Sequence, residues 1–212
     1  VDLGVNNPAT FCQSNPIIIT PIYKNGDPLL SGTSKTSNAL LGFPQTNTGN
    51  PGTNTFAIQA DKVGSLWGQA YNRKTKRLYS AAFLRRHVGL GPGGYDAIYI
   101  TNLTTLTAPS VPVYFNLSTK GINVGTHVSN SERGPPANLN QPSLDTMDGI
   151  YRKIAAQGIG GIDISDTGNE LWVVNVRDNS LNLLNLSTYN TSNNLADITR
   201  TGTYTIPSLG CV

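Results

Sequence analysis

The residues able to do chemistry are few. His87 and His127 are the only imidazoles among 212 residues. A Ser-His-Asp triad needs one of them beside a nucleophile elbow, and no G-x-S-x-G pattern occurs. Neither H-E-x-x-H nor C-x-x-C is present, so the usual zinc spacings are missing. Asp163, Asp166, Asn169 and Glu170 offer oxygen ligands near a turn, where Ca²⁺ is conceivable. The twelve-residue EF-hand spacing is absent, however, and Asp166-Thr-Gly-Asn169 already makes a good hairpin turn. Asp145 and Asp148 fit first-turn helix carboxylates better than an acid/base pair. The expectation is therefore no catalytic residue, no metal and no cofactor.

Two motifs carry more specific signals. Arg73, Lys74, Lys76, Arg77, Arg85 and Arg86 fall within a short stretch, with His87 adjacent. Arg85, Arg86 and His87 make a candidate contact for an anion or acidic polysaccharide, since the arginine fork grips carboxylate or sulfate with two bonds. The competing reading is two solvated loop ends, because a hairpin would place the turn charges and the Arg85-Arg86 pair at opposite ends. Gly89-Leu-Gly-Pro-Gly-Gly94 fits G-x-G-x-x-G in form. A strand rather than a helix follows it, which argues against dinucleotide binding and for a tight crossing loop with positive φ. Nucleic acid is not expected, because no stacking platform is interleaved with a large positive field.

The elements that must position these residues are strands. Charged residues are 13% of the chain, against 22 Gly, 13 Pro, 23 Asn, 23 Thr and 16 Ser. That excludes coiled coils and helical bundles, which need Ala, Glu, Lys and Leu in quantity. The hydrophobic share of 38% is too high for a disordered charged tail. No apolar run is long enough for a membrane-spanning helix. The net charge of +3 is too small to name a partner.

Cys12 and Cys211 stand near the two ends; they read either as one disulfide in an oxidising compartment or as two unpaired thiols. Four N-x-[ST] triplets begin at Asn102, Asn116, Asn185 and Asn190. They are glycan acceptors if the chain is exported from a eukaryotic cell, or chance in an Asn- and Thr-rich sequence. Val1 implies a removed leader or a fragment. High Asn and Thr with low Lys and Glu favours a secreted, extracellular or cell-surface location.

Along the chain, 1–64 reads as an N-terminal arm and long loop of the same domain. It contains a Pro-flanked edge strand at 16–23, a structureless stretch over 31–54 and a strand at 55–59. Residues 65–212 read as repeated strand–turn–strand units, with 118–158 as a polar insertion carrying one helix from about 144 to Gly158. Strands are expected at 66–71, 77–84, 97–101 and 111–115, and again at 161–165, 171–175, 181–186 and 203–206. The two sets align. A small-residue strand reaches a polar turn, the next strand opens Leu78-Tyr79 or Leu171-Trp172, and a third ends in Asn102-Leu-Thr or Asn185-Leu-Ser. This is the rhythm of a β-propeller blade. The fold class is thus all-β and propeller-like, with four-stranded blades and long polar loops. Two full blades and part of another are too few to close a ring, so the propeller is expected to be incomplete.

The run Val63-Gly-Ser-Leu-Trp-Gly-Gln-Ala-Tyr71, then Ala82-Phe-Leu-Arg-Arg-His-Val-Gly-Leu-Gly-Pro92 and Ala97-Ile-Tyr99, resembles the propeller-like N-terminal region of large bacterial secreted and surface proteins. Gly160-Gly-Ile-Asp-Ile-Ser-Asp-Thr-Gly168 with Leu171-Trp-Val-Val-Asn175 is similar to the same family. Those proteins often continue into immunoglobulin-like or serine-aspartate-repeat-type modules. The resemblance implies architecture and location more than activity.

The expected function is a non-enzymatic extracellular structural or binding module of a bacterial surface, matrix or appendage protein, of an adhesive kind. Its partners would be other protein chains, further domains of the same protein, or a polysaccharide. The alternative is a propeller enzyme, hydrolase or lyase, acting on a sugar or lactone. Convergence of Asp61, Asp96, Asp163, His87 and Arg85 on one pocket favours the enzyme; scatter favours the module. Glycan recognition by exposed Tyr95 and Tyr114 is a third possibility.

Overall fold

The computed structural model describes residues 14–47, 54–133, 153–154 and 156–207. Eleven strands are described among them. They are β1 Ile17–Pro21, β2 Asn38–Pro44, β3 Phe56–Gln59, β4 Leu66–Asn72, β5 Arg77–Ala82, β6 Ala97–Asn102, β7 Val113–Asn116, β8 Ile159–Ile164, β9 Glu170–Asn175, β10 Ser180–Asn185 and β11 Thr199–Thr205. They form three antiparallel sheets in simple chain order: β1-β2-β3, β4-β5-β6-β7 and β8-β9-β10-β11. The described helices are short, between three and six residues. None is long and apolar enough to cross a membrane. The all-β expectation holds at this level: consecutive meanders, joined by polar turns, in open sheets.

The turns obey local rules. Lys76, Asn179 and Gly168 sit at positive φ in the β4–β5, β9–β10 and β8–β9 connections. Asn and Gly reach this region at low cost, whereas Lys76 is held there by the hairpin around it. Pro112 precedes β7, an edge strand, where a missing N–H disturbs no ladder.

The second sheet is the centre of the molecule. β5 is buried along its whole length. Successive side chains point to opposite faces, and each face has its own core. Tyr79, Ala81, Ile98, Ile100 and Phe115 meet Leu171, Val173 and Leu184 of the third sheet. Leu78, Ala82 and Tyr99 meet Leu40, Phe56 and Ile58 of the first. The three sheets therefore stack, with the β4–β7 sheet in the middle. Tyr79 and Tyr99 are fully buried, and desolvation pushes both phenols well above their ordinary range.

One expectation is corrected here. The 31–54 stretch is not one long loop. Asn38-Ala-Leu-Leu-Gly-Phe-Pro44 pairs with β1 on one side and β3 on the other, and its Leu40 is fully buried. The polar residues around it hid a strand whose pairing partners lie on either side in sequence. Among the described residues of this region, β1, β2 and β3 form a three-stranded sheet rather than an arm. The helix expected from about 144 to Gly158 lies mostly outside the described residues. Ile154 packs against the core and Gly158 takes φ 97.

Candidate functional site

Arg85, Arg86 and His87 lie just after β5, and each has a different setting. The Arg85 guanidinium stacks over the Tyr23 ring at 4.0 Å. Tyr23 in turn donates its hydroxyl to the Leu66 carbonyl at 2.6 Å. Arg86 is exposed. His87 is half-buried at φ 66 with Nδ1 buried and unpartnered. The β4–β5 register, Leu66↔Ala82 to Asn72↔Arg77, puts this trio at the far end of the hairpin from Arg73, Lys74 and Lys76. The basic residues thus divide between two ends. Arg77 belongs to neither. It is buried, its guanidinium lies 4.6 Å from the centre of the Tyr189 ring, and it donates to Asn193 Oδ1. It ties the second sheet to the Ser187–Ser192 helix between β10 and β11.

The Gly-rich loop is held by a polar network that the sequence did not advertise. Asn130 donates Nδ2 to Asp27 Oδ1 at 2.7 Å and to the Leu90 carbonyl at 2.9 Å, and accepts from Leu90 N–H at 2.8 Å. Arg133, at 1% exposure, donates to the Val88 carbonyl at 2.8 Å and to the Arg85 carbonyl. Burial pushes its pKa down to about 10, partly offset by the Asp27 charge. It therefore stays charged at neutral pH. The loop's glycines differ in purpose. Only Gly94 has positive φ, at 77. A Cβ on Gly89 would lie 2.3 Å from Pro28 Cδ, and one on Gly91 2.4 Å from the Val63 carbonyl carbon. Crowding, more than handedness, selects them.

The five residues that would mark an enzyme do not meet. Asp61 pairs with Lys62 at 2.8 Å. Asp96 accepts from Asn116 Nδ2 at 2.6 Å and from Ser118 N–H at 3.2 Å. Asp163 accepts its own neighbour's N–H, from Ile164 at 2.8 Å, and lines a 240 Å³ cleft between β4 and β8 with Gln69, Tyr71 and Asp166. A larger cleft of 430 Å³ lies between β1 and β4, lined by Ile17, Ile19, Tyr71, Leu78 and Leu106 among others. Neither cleft includes Asp61, Asp96, Arg85 or His87. Among the described residues no three His, Cys, Asp or Glu converge as metal ligands. Tyr95, expected as an exposed glycan platform, is buried at 8% exposure and donates to the Gly125 carbonyl. Tyr114 is exposed, with its ring 5.5 Å from that of Tyr99.

The triplets at Asn102, Asn116 and Asn185 have a structural logic. Each is followed by a leucine, Leu103, Leu117 or Leu186, that is fully buried at a strand end. Asn102 and Asn185 accept through Oδ1 from the N–H two residues on, at 2.8 Å in both cases, a local turn that starts the loop. Asn116 instead donates Nδ2 to Gly93 O and Asp96 Oδ1, both at 2.6 Å. Asn190 donates Nδ2 to Gly168 O at 2.8 Å. Each of these two amides donates twice, Asn190 also to Asn169 Oδ1 at 3.2 Å, and a glycan on Nδ2 leaves only one N–H, so one contact of each pair would be lost. Folded protein secreted from a eukaryotic host is expected to carry glycan at Asn102 and Asn185 but not at Asn116 or Asn190. Glycopeptide mass spectrometry checks this, and occupancy at Asn116 in folded protein would contradict it. Cys12 and Cys211 lie outside the described residues.

No family model matches the chain, and no solved structure matches it. Among curated proteins it is similar to Colossin-D of Dictyostelium discoideum, at 25% identity over 171 residues. The match takes in 76% of this chain and 17% of that protein, so the chain spans under a fifth of its curated relative's length.

Proposed function

We propose that the chain is a non-enzymatic structural or binding module of an extracellular surface protein, built as part of a β-propeller. The observation that carries this reading is the use made of the polar groups. Asp96, Asn130 and Arg133 are spent holding loops, and Asp61, Asp96, Asp163, His87 and Arg85 remain apart. A catalytic centre needs acid, base and positioning groups within hydrogen-bond reach of one reacting atom. The low charge and the Asn- and Thr-rich surface suit a chain that lies against others through neutral hydrogen bonds. Four-stranded meanders stacked face to face fit blades of a propeller.

The test uses the native protein on intact cells of its source. A membrane-impermeant amine reagent is expected to label exposed Lys24, Lys35 and Lys74. No turnover is expected on a panel of neutral and acidic glycosides and lactones. Protection of all three lysines, or turnover that Asp163→Asn removes, would overturn the reading.

A further inference from the structure

Of the two tryptophans, Trp172 is half-buried and Trp67 is 54% exposed. Trp67 rests against Phe83, ring centres 5.6 Å apart and planes tilted by 33°. The β4–β5 register runs from Leu66↔Ala82 to Gln69↔Ser80, three steps on β4 against two on β5. Trp67 and Gly68 therefore sit in a bulge, a device that re-aims a side chain. Arg85 lies two residues past Phe83. Leu84 between them is buried, so the alternation of an extended chain puts Phe83 and Arg85 on one side. The Arg85 guanidinium lies over Tyr23, and the Tyr23 hydroxyl donates to the Leu66 carbonyl, one peptide link from Trp67. Two contacts thus hold the cation near the indole.

The chain that builds this patch carries no acid. No Asp or Glu occurs between Asp2 and Asp27 or between Asp61 and Asp96, the stretches that supply Tyr23, Trp67, Phe83 and Arg85. Lys24, next to Tyr23, and Arg86, next to Arg85, are exposed. Among the described residues the one ion pair is Asp61–Lys62, so Arg85 is positioned by an aromatic ring and not by a carboxylate.

We propose that Trp67, Phe83 and Arg85 bind an acidic polysaccharide, one whose pyranose rings carry carboxylates. Two observations select that ligand together. The exposed indole on Phe83 is a flat apolar platform, and a pyranose ring has a C–H face that covers it. The arginine has its face on Tyr23, which leaves the N–H edge to grip a carboxylate with two bonds. A neutral glycan would use the indole alone, and an acidic peptide the cations alone. Because Tyr23 and Phe83 already brace both groups, little side-chain entropy is lost on binding. The inference rests on the binding-module reading and gives it a ligand class, but it fails separately: a chain that binds no saccharide is still a surface module.

The test is a fluorescence titration of the 212-residue chain carrying Trp172→Phe, which leaves Trp67 as its one tryptophan. Oligogalacturonate is expected to change the Trp67 emission saturably, whereas dextran and polyglutamate are not. Calorimetry on the unsubstituted background then compares variants. Trp67→Ala and Arg85→Gln are each expected to weaken oligogalacturonate binding roughly tenfold or more, as anchors of their type do. Arg85→Lys keeps the charge and is expected to lose most of the affinity, since an ammonium has no fork. Lys74→Gln, at the other end of the hairpin, is expected to bind as the parent does. Absence of any saturable change with oligogalacturonate overturns the proposal. Equal binding of polyglutamate overturns it in favour of an acidic peptide. Equal loss in Lys74→Gln overturns it in favour of diffuse charge.

Discussion

Gly64→Ala is expected to lower the unfolding free energy by about 3–5 kcal/mol, combining backbone strain with forced overpacking. Gly64 follows the Ala60–Val63 helical turn at φ 62 and ψ −145, a combination open to glycine and costly for any residue with a Cβ. There is no room either. The new methyl would lie 1.9 Å from Gly91 N and 2.5 Å from the Leu90 carbonyl carbon. Both are main-chain atoms, so no rotamer change relieves the clash. The same crossing carries the bridge between Gly64 and Leu90 and the hydrogen bond from Ser65 N–H to Gly89 O at 2.9 Å. Gly32 is the control: its φ is 129, but a Cβ there meets nothing within 4 Å. Gly32→Ala should cost only the conformational part, about 1–2 kcal/mol. Urea unfolding of the two variants separates packing from backbone preference. Equal losses would remove the packing argument.

Arg133→Met is expected to cost about 2–3 kcal/mol, because it leaves the Arg85 and Val88 carbonyls without their buried donor. Relief from burying a cation moderates the loss, since Arg133 Nε is already unpartnered. Arg133→Lys should fall between, as an ammonium cannot reproduce the planar fork that reaches two carbonyls. The effect should be local as well as global. Amides from Arg85 to Leu90 are expected to exchange faster in Arg133→Met, while those of β9 and β10 keep their protection in proportion to overall stability. Wild-type exchange across that loop in Arg133→Met would show that the clamp does not order it.

The strands of the second and third sheets were legible because their signals are local. Leu78-Tyr79-Ser80-Ala81-Ala82 and Leu171-Trp172-Val173-Val174 are apolar runs bounded by turn residues, and the partner strand begins within a few residues. β2 was not, since Thr36-Ser37 and Gln45-Thr46-Asn47 flank it with the vocabulary of a loop and Asn38 opens it. What fixes β2 as a strand is pairing on both sides, which one segment alone cannot reveal. The polar network was invisible for a related reason. Asp27 and Asn130 are 103 positions apart, and Arg133 reaches back 45 to Val88. Arg77 sat in a run of charges that read as a solvated turn, yet its face of β5 looks inward. Tyr95 read as a surface aromatic in a Gly-rich loop, but that loop folds under the chain and takes the ring with it. The candidate anion trio was legible as a cluster of types; its division among a stacked, an exposed and a half-buried side chain was not.

The central position of the second sheet also governs how its length can change. Alternate residues of β5 feed different cores, Tyr79 and Ala81 one, Leu78 and Ala82 the other. Inserting a single residue before Leu78 would exchange the two sets, sending an aromatic ring into space shaped for an aliphatic chain and the reverse. Neither face has water to receive the misfit. The Arg73–Lys76 turn has no such constraint. Length variation in this region should therefore accumulate in that turn and come to β5 only in pairs.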